Sequence, residues 1–187
     1  MNRLTRMRGP SIYPRATLLG LCGCVVLLGG CATATTSQGM VPTSYQVVRT
    51  HPQTVSVEVK GGKQTDSMGK AQISDATFQQ ALVESINKSQ TFSRVVEGAG
   101  GDYVLSVILF SVDQPSIGFS FTVKIEAGWT LKRANTGTTV WQESIRSEYT
   151  ATTSDAFAGV TRLRMATEGA ARNNIAEGLS RISKLNL

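Results

Sequence analysis

Apolar and polar positions alternate with a period of two along residues 54–60, 119–132 and 138–150, and recur at helical spacing along 75–89 and 157–184. In the first stretch Val55, Val57 and Val59 face one way, opposite Ser56, Glu58 and Lys60, and Gly61-Gly62 ends the strand. Tyr45–Val48 reads as a short strand before it. Ser74 is placed as a helix N-cap, with Ile73 and Phe78 as a hydrophobic staple. Phe78, Ala81, Leu82 and Ile86 then form the apolar stripe of a helix over 75–89. Phe92–Val96 is a short strand, and residues 98–102 a glycine-rich turn. Residues 103–112 are apolar on both faces, as expected of a central strand. Phe119, Phe121, Val123, Ile125, Ala127, Trp129 and Leu131 share one face of the next strand. Asn135-Thr136-Gly137 is a hairpin turn, and the return strand spaces Trp141, Ile145 and Tyr149 along one face. The closing helix turns Ala171, Ile175, Leu179 and Ile182 inward; Gly159, Gly169 and Gly178 weaken it, each by about 1 kcal/mol relative to Ala. The order predicts an α+β domain over 44–187, a mostly antiparallel sheet of four to five strands with two helices packed on one face.

Candidate chemistry is sparse. The single histidine, His51, precedes Pro52 in an early loop, and no set of Cys, His and carboxylates has the spacing of a zinc site. There is no Gly-x-Ser-x-Gly elbow. The Gly98–Gly101 run leads into a strand rather than a helix, so it lacks the helix N-terminus a phosphate cradle needs. Glu126 and Glu143 fall on neighbouring strands among basic residues and read as solvated sheet-face charges. Arg162 and Arg164 read as a solvated helix face. Phe119, Phe121 and Trp129 are expected in the core, with an acyl-chain or partner groove as the alternative use. Together these features argue for a non-enzymatic protein.

The charge is unevenly placed. The chain has 19 Lys+Arg and 13 Asp+Glu, a net of +6, which taken whole suits an acidic partner such as nucleic acid. Residues 1–30 hold Arg3, Arg6, Arg8 and Arg15 and no acid, so without them 15 basic and 13 acidic residues remain, a net of +2. The nucleic-acid reading then loses its support. Those first residues form a basic stretch followed by an uncharged one over 16–30, the layout of a secretory signal, with Met7 as an alternative start. The apolar run is too short to span a bilayer, which needs about 20 residues.

Leu28-Gly29-Gly30-Cys31 resembles the lipobox of bacterial lipoproteins: an aliphatic residue, two small residues, then cysteine. The resemblance implies cleavage before Cys31, a covalent diacylglycerol on its thiol and an N-acyl chain on its amine, with no other cofactor. Two or more chains are needed for stable anchoring. Residue 32 is Ala rather than Asp, which by the enterobacterial pattern implies the periplasmic face of the outer membrane, the inner membrane being the alternative. Cys22 and Cys24 would leave with the signal, and Cys31 would carry lipid. Residues 31–43, small and polar after Cys31, read as a flexible tether.

The whole arrangement is similar to the YajG-type envelope lipoproteins. The likeness rests on the lipobox, the apolar strand at 103–112, the alternating strand at 119–131, the Asn135–Gly137 turn, the return strand at 141–149 and the closing helix. It implies an accessory or interaction protein of the cell envelope, with another envelope protein or an envelope lipid as partner, and it supplies no catalytic residues. The alternative is a lipid- or glycan-binding carrier or sensor with a pocket between sheet and helices.

Overall fold

The computed structural model describes residues 33–65, 70–98 and 100–187. The signal segment 1–30 and the lipobox residues Leu28, Gly29, Gly30 and Cys31 lie outside the described residues. The elements run α1 (Ser37–Met40), β1 (His51–Lys60), α2 (Asp75–Ser89), β2 (Phe92–Val95), β3 (Tyr103–Asp113), β4 (Phe121–Arg133), β5 (Thr139–Ala151) and α3 (Gly159–Ile182). They build one five-stranded sheet in the order β2-β1-β3-β4-β5. The two long ladders, β3–β4 and β4–β5, are antiparallel. The shorter β1–β2 and β1–β3 ladders are parallel, because a helix or a crossover returns the chain in the same direction. This is the expected α+β class, with β3 in the middle of the sheet.

Helices α2 and α3 cover one face of the sheet. The face they cover is the one the alternation marks: Val55, Val57 and Val59, then Tyr103, Leu105 and Val107, then Val123, Ile125, Ala127, Trp129 and Leu131 are all buried. Helix α2 begins where Ser74 accepts from the Thr77 backbone N–H at 3.1 Å. Ile73 and Phe78 are both buried beside that cap, as the staple requires. Its last turn carries the Lys88–Glu84 ion pair at 2.7 Å, and it stops at Gln90 in the left-handed conformation.

Helix α3 crosses β4 and β5 closely. A Cβ at Gly169 would lie 2.4 Å from the Tyr149 ring, and one at Gly178 would lie 2.5 Å from the Trp129 ring. These glycines are therefore contact points between helix and sheet, rather than only weak points of the helix. At the same interface Asn174, fully buried, accepts from Trp129 Nε1 at 2.9 Å and donates to the Ile145 carbonyl at 2.9 Å and Ser147 Oγ at 3.1 Å. One amide thus satisfies two sheet groups that would otherwise be buried without partners.

Several local expectations change. Residues 45–48 form no strand; Tyr45 is half-buried and Val48 exposed. Strand β1 starts at His51, three residues before the alternation begins. His51 is buried, not in a loop: its Nε2 lies 3.0 Å from the Ile182 carbonyl, and its ring packs on Phe92 at 5.4 Å. The stretch expected to be a free tether is largely docked. Thr35, Met40 and Val41 are buried, and Ser37–Met40 is helical, capped by Thr36 accepting from Gly39 N–H. Met40 and Val41 join the main core, which is why this short, polar-looking stretch does not stay in solvent.

Candidate functional site

The docked N-terminal segment follows α3 from its middle to its end. Glu168, buried, accepts from the Thr36 N–H at 2.8 Å and from Thr36 Oγ1 at 3.0 Å. One turn further on, Arg172 donates through Nε and Nη2 to the Gly39 carbonyl at 3.1 and 2.9 Å. At the helix end Val48 N–H donates to Ser183 Oγ at 3.0 Å, and Arg49 reaches Asn186 Oδ1 at 3.1 Å. Residues 36–49 therefore form a strap lying parallel to α3. Upstream, Thr35 Oγ1 donates to the Gln72 carbonyl at 2.7 Å. Gln114 Nε2 ties this corner together, donating to the Ala71 carbonyl at 2.5 Å and to Thr167 Oγ1 at 2.9 Å.

Two loops meet at the start of α3. Residues 114–120 join β3 to β4, and residues 152–158 join β5 to α3. Asp155 stabilises the second by accepting from Thr152 N–H at 2.7 Å and Thr152 Oγ1 at 2.9 Å. Arg162 holds both loops. Buried under them, it donates to the Ala156, Phe157 and Gly118 carbonyls at 2.9, 2.6 and 3.5 Å, and its guanidinium lies 5.4 Å from the Phe121 ring centre. The expectation of a solvated helix face is thus wrong for Arg162, and Arg164 is half-buried beside it. Three unpaired carbonyls of irregular backbone provide the partners that a solvated arginine would find in water.

The loops held this way expose apolar side chains. Phe119 is 88% exposed, Ile117 92% and Phe157 96%, with Val160 at 49%. Of the three aromatics expected in the core, Trp129 and Phe121 are there and Phe119 is not: β4 begins only at Phe121, so the alternation does not extend to residue 119.

The second exposed region is the sheet face opposite the helices. Ile108 and Phe110 are exposed there, and the Phe110 ring lies where a Cβ on Gly128 would be. Residue 103–112 is apolar on both faces, yet helices cover only one of them. Beside Phe110, Lys124 stands opposite Glu148, and Glu126 opposite Arg146, across the β4–β5 ladder. A groove of about 440 Å³ is lined there by Ser111, Asp113, Lys124, Glu126, Arg146 and Glu148. Glu126 and Glu143 are on opposite faces, because Glu143 registers with Trp129 on the helix side. Arg146 and then Ser144 hold the Glu126 carboxyl below its ordinary range. Glu143 is lowered by the Trp141 Nε1 hydrogen bond at 2.9 Å and by its ion pair with Arg181. Position parity in the sequence carries that separation: Glu126 falls on the polar side of the β4 alternation, and Glu143 is in step with Trp141, Ile145 and Tyr149.

Between sheet and helices the centre is filled by Trp129, Phe78, Leu82, Leu105 and Ile125. A groove of about 570 Å³ lies instead at the sheet margin, between α2 and β2, with Gln79, Gln80, Asn87 and Glu97 among its lining residues. Among the described residues no group of three metal-ligating side chains comes together, and no helix is long and apolar enough to cross a membrane.

The fold is one already seen in bacterial proteins. Protein XCC0632 of Xanthomonas campestris, of family DUF330, has a TM-score of 0.61 at 13% identity, over 80% of this chain and 94% of that one. The hypothetical protein CT253 of Chlamydia trachomatis has a TM-score of 0.54 at 7% identity, over 71% and 96%. A minor lipoprotein of Acinetobacter baumannii has a TM-score of 0.48 at 8% identity, over 76% and 93%. No protein-family model matches the sequence, and no curated protein matches it.

Proposed function

We propose that this protein is a membrane-anchored lipoprotein of the bacterial cell envelope, held by lipid on Cys31 and acting without catalysis on another envelope protein or an envelope lipid. The observation that carries the reading is Leu28-Gly29-Gly30-Cys31, placed after a basic stretch and an uncharged run. The position of Ala32 favours the periplasmic face of the outer membrane. Kinship with the YajG-type lipoproteins is supported by the elements on which that likeness rests: β3, β4, the Asn135–Gly137 turn, β5 and α3 are contiguous in the fold.

Metabolic labelling with a palmitate analogue tests the anchor. The wild type takes up label and Cys31→Ser does not; equal labelling of the two would refute it.

A further inference from the structure

The geometry points to a second attachment to the same membrane: the apolar loop tips Ile117, Phe119 and Phe157 insert into the leaflet that holds the lipid of Cys31. The inference rests on the anchor proposed above and adds a protein–lipid interface to it.

The direction of the strap locates the anchor. Residues 36–49 run alongside α3 toward its C-terminal end, from Glu168 through Arg172 to Ser183. Followed backward, the chain leaves Glu168 for the segment before α2, where Thr35 bonds to Gln72, and Gln114 at the end of β3 holds the neighbouring Ala71 at the same pole as the loop 114–120. Glu168 stands nine residues after Gly159, about 13 Å along the helix at 1.5 Å per residue. The five steps from Thr36 back to Cys31 reach at most about 17 Å. Cys31 can therefore sit level with the loops at the start of α3, and it cannot reach the opposite end of the sheet, where Asn135-Thr136-Gly137 turns.

The loops at that pole have the chemistry a leaflet interface needs. Ile117, Phe119 and Phe157 project almost wholly into solvent, and Val160 stands beside them. A cluster of large apolar side chains on loop tips is costly in water unless something covers it. Insertion of aromatic and aliphatic side chains at the acyl boundary is how monotopic surfaces gain affinity beyond one lipid signal. Arg162 keeps the two loops together, since its guanidinium bonds to carbonyls of both. The tips therefore move as one body rather than as two free loops.

Reporter cysteines test this in the mature, lipidated full chain, because the only native cysteine left after processing carries the lipid. Ile117→Cys, Phe157→Cys and Thr136→Cys are each labelled with an environment-sensitive fluorophore. The proteins are reconstituted in phosphatidylethanolamine–phosphatidylglycerol vesicles with or without brominated acyl chains. At positions 117 and 157 the emission shifts to the blue and is lost to bromolipid; at 136 it stays at its value in water. Emission at 117 and 157 matching that at 136, in protein that floats with the vesicles and carries lipid by mass spectrometry, overturns the interface and leaves the anchor standing. Protein without lipid on Cys31 overturns both. A lipidated Ile117→Ser, Phe119→Ser, Phe157→Ser triple variant checks the same contact without a label. It keeps its melting temperature, because the tips touch solvent, and it transfers faster from donor to acceptor vesicles; unchanged transfer counts against the interface.

Discussion

Gly178 separates two effects that usually travel together. In an exposed helix a glycine-to-alanine change stabilises by about 1 kcal/mol. Here the new Cβ would lie 2.5 Å from the Trp129 ring, which has no free space to move into. Gly178→Ala should therefore destabilise by about 1–3 kcal/mol, the usual range for overpacking, seen as a lower urea midpoint at unchanged slope. The pattern of glycines is plain in the sequence; that two of them receive aromatic rings is not, because nothing local says which strand residue lies opposite. Charges at the surface give a second test. Asp102 and Asp155 are lowered by the N–H and hydroxyl of Thr54 and Thr152, Glu126 by Arg146, and Glu143 first by Trp141. A carboxyl that is more acidic folded than unfolded contributes stability above its unfolded pKa, about 4, and loses it as pH falls through the folded value. The urea midpoint should hold from neutral pH to about 5 and decline below about 4. The decline is shallow because these groups are largely solvated; a midpoint that rises on acidification would contradict these assignments.

Helix α1 and the strap that continues it show what periodicity leaves out. Strands β1, β3, β4 and β5 and helices α2 and α3 each carry a repeating apolar face, and each is legible for that reason. The strap has one large apolar side chain within its short helix, Met40, which is fully buried. Val41 follows it into the core, and the strap is further tied by hydrogen bonds to Glu168, Arg172 and Ser183, residues more than a hundred positions away. No window of sequence contains both partners. Met40→Ala separates strap from tether directly: a side chain in a loose linker contributes nothing to stability, whereas removing a buried methionine costs about 2–5 kcal/mol. We expect the larger loss in thermal or urea unfolding of the otherwise intact chain. The same reasoning explains Arg162 and His51. Arg162 bonds to carbonyls of two loops and His51 to the end of α3, so their roles depend on chain paths that composition does not record.

The molecule as a whole has one face under helices, one face open, and two unlike poles. The lipobox-like run and the four arginines ahead of it were readable from the first forty residues, and they bear on where the protein resides. The exposure of Phe119 at the loop pole was not readable, because Phe119 continues the alternation of β4 in sequence while leaving it in space. The strap has a consequence for reach. With lipid on Cys31, only the four steps from Cys31 to Thr35, the first buried residue, separate anchor from domain, at most about 14 Å. A domain on so short a leash does not search the compartment. Its most distant point, the Asn135–Gly137 turn, stands roughly 40 Å from the loop pole, the length of thirteen residues in β4. Anything it binds must come within that height. Under the proposed anchor, the length of one strand, rather than of a linker, would set the working range of the protein.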